Sequence, residues 1–186
     1  MSFVVQDNDK VRELCPAGSY SAVCVDVVDL GNVQTTYKGQ IRTQHKCRIV
    51  FEIGEYRKDG SPFYVGERFT ASLGEKAALR GFLEGWRGKA FTPEELKGFD
   101  LEMLIGAPAI IMVVHNQNGD KTYDNIKSAS KLMKGMPALK PSGKYTRVKD
   151  RPQQPAPNGS ALPQAFTPEP DETQAQEEDD LSSLPF

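Results

Sequence analysis

Tyrosines interleave with lysines and arginines over two neighbouring stretches. The first holds Tyr37, Lys38, Arg42, Lys46 and Arg48; the second holds Tyr56, Arg57, Lys58, Tyr64 and Arg68. Cations can meet the phosphates of a single nucleic-acid strand, and aromatic faces can stack on its bases at about 1–3 kcal/mol each. The same residues also suit a solvated, charged sheet face with tyrosines half-packed at its rim. Residue types alone leave both readings open.

Other chemistries find less support. His45 and His115 are the only histidines, and neither joins Cys47 in a zinc-ribbon or zinc-finger spacing, so no metal is expected. No Walker A loop, GxSxG elbow or HExxH occurs, and the acids of residues 1–150 are scattered apart from Glu94-Glu95 at a helix start. The expectation is a binding protein that is not an enzyme and needs no cofactor. Cys15, Cys24 and Cys47 have no CxxC spacing, which suits buried thiols in a reducing, cytoplasmic compartment. No apolar run approaches the length of a membrane helix, and no membrane partner is expected.

Charge is unevenly distributed. Residues 1–150 hold 22 Lys+Arg against 18 Asp+Glu, while residues 151–186 hold one against 7. A basic body followed by an acidic tail suits nucleic-acid binding with a solvated appendage.

The elements that would position these residues can be read from periodicity. Tyr20 to Val28 is rich in β-branched residues and predicts a strand, ended by a turn at Asp29-Leu30-Gly31-Asn32. In a second strand, Arg42 to Ile53, His45, Cys47, Ile49, Phe51 and Ile53 share one parity, and Lys46 and Arg48 lie on the other. Phe63 to Ala71 forms a third, with Gly66 suited to a bulge. Ser72 and Glu75 would cap a helix reaching Trp86, whose apolar face is Leu79, Phe82, Leu83 and Trp86. Thr92-Pro93-Glu94-Glu95 starts a short second helix. Ala107 to His115 reads as a fully buried strand, and Asn118-Gly119 turns into a fifth, Lys121 to about Ser130.

The fold class expected is all-β with a helical insertion: a five-stranded OB-type barrel plus a disordered acidic tail. The domain division expected is residues 1–140 for the barrel and 141–186 for linker and tail, because residues 141–186 are poor in large apolar side chains.

The end of the sequence carries a resemblance. Glu177, Glu178, Asp179 and Asp180 precede Leu181-Ser182-Ser183-Leu184-Pro185-Phe186. This resembles the C-terminal tip of bacterial-type single-stranded DNA-binding proteins, though here four residues separate the acids from Pro-Phe. The resemblance implies that Leu184, Pro185 and Phe186 enter an apolar pocket on replication or recombination proteins while the acids steer approach. A second resemblance spans roughly residues 18–135. It is carried by Phe69-Thr70-Ala71-Ser72-Leu73, Leu79-Arg80, Trp86-Arg87-Gly88-Lys89, Phe91-Thr92-Pro93-Glu94-Glu95 and Leu104-Ile105-Gly106, which look like small phage-encoded single-stranded DNA-binding proteins. It implies an OB-fold and a role in phage DNA replication or recombination inside an infected bacterium. The partners expected are single-stranded DNA and proteins met by the tip, and a homo-oligomer is compatible with both. Two alternatives stay open: a strand-annealing or recombination mediator protein, and a protein-binding adaptor with a solubilising tail.

Overall fold

The computed structural model describes residues 13–37 and 39–151. Five antiparallel strands, β1 (Gly18–Tyr37), β2 (Gln40–Tyr56), β3 (Pro62–Thr70), β4 (Pro108–Asn118) and β5 (Lys121–Ser130), form one sheet in the order β3-β2-β1-β4-β5. Two helices, α1 (Ala78–Arg87) and α2 (Pro93–Lys97), are inserted between β3 and β4, as the periodicity predicts.

The sheet has two covered faces. On one, Cys47, Ile49, Phe51 and Ile53 of β2 join Ala22 and Cys24 of β1 and Ile111 and Val113 of β4 in the main core. The apolar stripe of α1 closes it: Leu79, Phe82, Leu83 and Trp86 are all buried, at roughly 1.5–3 kcal/mol for each large side chain. The Trp86 ring lies 5.0 Å from Phe51, and its indole N–H donates to the Pro108 carbonyl at 2.9 Å. Helix α1 touches both β3 and β5, the two edges of the sheet. The edges also meet through Glu67 of β3, whose Oε2 accepts from the backbone N of Ile126 in β5 at 3.0 Å.

The opposite face is covered by residues 139–151. Leu139 and Tyr145 pack on Val23, Val25, Val50 and Tyr64. Two carboxylates buried on this face take their hydrogen bonds from the covering segment. Asp26, 1% exposed, accepts from Tyr145 Oη at 3.2 Å, Arg147 Nε at 3.0 Å and the Val148 backbone N at 2.8 Å. Glu52, 3% exposed, accepts from the Ser142 backbone N at 2.9 Å and its Oγ at 3.0 Å. A buried carboxylate is costly unless charge and donors meet it, and this segment brings both. Packed chain therefore continues past residue 140, and residues 141–151 are not loose linker. Residues 152–186 lie outside the described residues.

Several local expectations are corrected. Asp29-Leu30-Gly31-Asn32 is a bulge within β1 and not a turn: Gly31 adopts φ 66°, its N–H meets Asp29 Oδ1 at 2.7 Å, and pairing with β2 resumes one residue out of step. A left-handed glycine absorbs the extra residue, so the strand continues to Tyr37. Gly66 is not a bulge either; it pairs in register with Val50. The Ser72–Glu75 capping box does not form, because the Ser72 hydroxyl accepts from the Gly74 N–H in a local turn and α1 starts later. The Thr92–Glu95 box does form. Strand β4 buries Ala109, Ile111 and Val113 but leaves Met112 42% exposed, so only one of its faces belongs to the core.

All three cysteines are free and buried. Burial pushes the Cys24 thiol up to about 12 and those of Cys15 and Cys47 up to about 11. Among the described residues, no helix is long and apolar enough to cross a membrane.

Candidate nucleic-acid interface

Beyond its pairing with β3 and β4, the β1–β2 hairpin runs on as a two-stranded ribbon, residues 31–37 and 40–45. Where ribbon and sheet join, a cleft of about 390 Å³ opens between β1, β2, β3, the end of β4 and β5. Its walls bring together three of the residues singled out from sequence: Lys46, Arg48 and Arg68.

Strand register explains the grouping. Lys46 and Arg48 lie on the parity of β2 that faces away from the main core, and Arg48 is the direct cross-strand partner of Arg68. Lys46 Nζ reaches Thr70 Oγ1 at 3.0 Å across the same pair of strands. Glu67 of β3 acts on Arg48 at the same place, and two guanidinium groups opposite one another can also share an anion. Gly66 provides the floor: a Cβ there would come within 2.6 Å of Arg48 Nε, so the missing side chain is what lets the guanidinium lie down on β3.

The rest of the lining was not anticipated. Val33, Gln34 and Thr35 come from β1, Asn118 from the end of β4, and Tyr123, Asp124 and Asn125 from β5. Tyr123 is 36% exposed and provides an aromatic face beside the cations. Asn125 contributes a carbonyl oxygen with no hydrogen-bond partner among the described residues. Two acids also line the cleft, each bonded to backbone. Asp124 accepts from the Cys15 N–H at 3.1 Å, and Glu67 accepts from the N–H groups of Ile126 and Arg68. Burial raises the Glu67 carboxyl above the usual carboxylate range, against the pull of those N–H groups and of nearby Arg48.

Other predicted residues fall elsewhere. Tyr56, Arg57 and Lys58 sit at the far end of the β2–β3 hairpin, some eight residues or roughly 25 Å of strand from Arg48. Tyr56 is 61% exposed, but Arg57 lies 4.8 Å over the Phe63 ring and donates to the Pro62 carbonyl, holding the hairpin end together. The backbone N of Lys58 bonds to Glu13. Tyr64 is not a free stacking face, because its ring packs 5.0 Å from Tyr145 under the covering segment. Arg42 is exposed on the ribbon, with one guanidinium nitrogen 3.4 Å from Gln40 Oε1. Tyr37 ends β1 without a described side chain, and Lys38 lies outside the described residues, as do Glu177, Glu178, Asp179, Asp180, Leu184, Pro185 and Phe186.

The histidines have separate partners. His45 Nε2 meets Asp29 Oδ1 at 2.6 Å on the ribbon, and His115 Nε2 donates to the Cys15 carbonyl at 2.7 Å. Among the described residues, no three His, Cys, Asp or Glu side chains group as a metal site.

No protein-family model and no curated protein matches the chain.

Proposed function

We propose that this chain is a non-enzymatic, sequence-tolerant single-stranded DNA-binding protein, in which the curled sheet acts as an OB-type barrel. The observation that carries the reading is the register pair Arg48–Arg68 with Lys46 beside it, at a cleft that also offers Tyr123. Two guanidinium groups opposite one another across a strand pair can share a single anion. Phosphate between the guanidinium groups and a base against Tyr123 would use the cleft as built.

The wider reading follows from the resemblances. The protein serves DNA replication, recombination or repair, in the cytoplasm of a phage-infected bacterium, and its acidic Pro-Phe tip recruits partner proteins. Phe186 fills an apolar pocket on that partner while Glu177 to Asp180 steer the approach.

Fluorescence anisotropy with labelled oligo-dT and with a duplex of equal length tests the DNA half. Tighter binding to the single strand, weakening steeply as salt rises, is expected. Equal affinity for both would remove the stacking half of the reading, and no binding to either would leave a protein-binding adaptor. For the tail, Phe186→Ala should abolish capture of replication proteins and leave oligo-dT affinity nearly unchanged. Truncation after Pro168 should abolish capture and also raise DNA affinity at low salt, since it removes a tethered polyanion. Identical behaviour of the two variants in both assays would end the proposed division of labour.

A further inference from the structure

The basic excess of the body is not spread over the sheet. Residues 1–130 hold 16 Lys+Arg against 17 Asp+Glu, a net of -1. Residues 131–151 hold 7 Lys+Arg against the single acid Asp150, a net of +6. Within that stretch the covering segment, residues 139–151, holds 5 Lys+Arg against Asp150, a net of +4, where residues 1–138 hold 18 against 17.

This segment is held in a defined place. Its inward groups, Ser142, Tyr145, Arg147 and the Val148 N–H, make five hydrogen bonds to the buried carboxylates of Asp26 and Glu52. Arg147 is also paired with Glu102. Lys140, Lys144, Lys149 and Arg151 remain exposed, and the Arg151 guanidinium lies 5.5 Å over the Tyr145 ring. Lys149 Nζ also lies 3.4 Å from Glu102 Oε2 and Arg151 Nε donates to the Thr146 carbonyl at 3.1 Å, both at the surface, while the bonds to the buried carboxylates come from the inward groups.

The cationic surface adjoins the cleft. Tyr145 packs on Tyr64, which neighbours Gly66 and Arg68 on the same face of β3, and Gly66 is the residue against which the Arg48 guanidinium lies. Arg48 is a cleft residue and Arg151 belongs to the segment, so Tyr145 bridges the two groups of cations.

We infer that residues 140–151 form a second phosphate-binding track for single-stranded nucleic acid, continuous with the cleft, in which Lys140, Lys144, Lys149 and Arg151 are the contacts. This deepens the single-strand-binding reading and rests on it. The sheet provides the register, and the covering segment provides most of the attraction. A cationic segment fixed by neutral and paired groups presents its charges at little ordering cost on binding, unlike a loose basic tail.

The test uses the full chain and labelled oligo-dT across a salt series. Three proteins are compared: wild type, a track variant with Lys140, Lys144, Lys149 and Arg151 each changed to Gln, and a cleft variant with Lys46→Gln and Arg68→Gln. The track variant spares every group bonded to Asp26 and Glu52 and loses only the exposed Lys149–Glu102 and Arg151–Thr146 contacts, so circular dichroism should show a melt within a few degrees of wild type. Its affinity at low salt should fall by roughly tenfold or more, with the log–log salt slope shallower by about 2–3, from about 0.7 per phosphate contact on a single strand. The cleft variant should lose a smaller part of the slope. Wild-type binding with a track variant of unchanged affinity and slope would overturn the track and leave the cleft reading standing. Failure of wild type to bind oligo-dT would overturn both. Should the fourfold variant unfold, Lys144→Gln with Lys149→Gln carries the same comparison at about half the slope change.

Discussion

Arg48 lies across Gly66 so closely that a methyl group on the glycine would sit 2.6 Å from its Nε. The guanidinium lies where a side chain on position 66 would be, and a glycine in mid-strand often marks such a close approach.

Gly66→Ala should therefore displace the Arg48 guanidinium and weaken oligo-dT binding, with a stability cost of about 1 kcal/mol. In a double-mutant cycle, the loss of affinity from Gly66→Ala should largely vanish once Arg48→Ala is present. Additive losses in titrations of the four proteins would mean that the glycine acts on binding by some other route.

Trp86 is the only tryptophan, and it sits in the main core with its N–H bonded to Pro108. Intrinsic fluorescence should stay constant through a DNA titration while anisotropy of the labelled DNA rises. Trp86→Ala should cost about 3–5 kcal/mol in urea unfolding, as a core aromatic does. Quenching by DNA at constant stability would place the indole at the interface instead.

Asp26 gathers three donors from the covering segment. Asp26→Ala should destabilise the protein by about 3 kcal/mol or more, because Arg147 and Tyr145 lose a buried acceptor. Amide exchange at Val148 should rise sharply, and exchange in α1 should rise only as far as global stability falls. Uniform exchange changes would show that segment and sheet unfold as one unit.

Glu102 links the same segment to pH. Hydrogen bonding to Arg147, then the charges of Arg147 and Lys149, hold its carboxyl below the usual carboxylate range. A depressed folded-state value contributes stability that is complete above the ordinary carboxylate range and is lost as pH falls through the lowered value. Wild type should exceed Glu102→Gln in urea midpoint near neutrality, and the two curves should converge as pH falls below the ordinary carboxylate range and through the lowered value. A gap that persists at the acid end would assign the difference to packing.

The sequence was legible where periodicity is local. The alternation of Cys47, Ile49, Phe51 and Ile53, the stripe of α1 and the Thr92–Glu95 box each depend on neighbours a few residues away, and each is found as expected. What escaped is long-range. The cleft needs β5 to approach β3, so Tyr123 and Asn125 gave no local sign of their place in it. Residues 141–151 looked loose because they contain no large aliphatic side chain except Val148, and composition measures burial potential, not bonds to a carboxylate more than a hundred residues away. Two clues were present. Val50 and Glu52 alternate with the core residues of β2 on the supposedly solvated parity, and Asp26 is a lone acid in an apolar strand. A buried acid without a local partner calls for a distant one.

The covering segment also orders events during synthesis. Asp26 and Glu52 leave the ribosome with β1 and β2, but the groups that satisfy them arrive about 90–120 residues later. Until then both carboxylates must stay hydrated, because closing that face without its donors would strand two charges out of water. The nascent sheet thus keeps one face wet while its hairpins and α1 assemble the other, which limits premature burial of Val23, Val25 and Val50. Residues 142–148 are then the seal on this face, and a ribosome stalled before residue 142 would hold a sheet with one side still open.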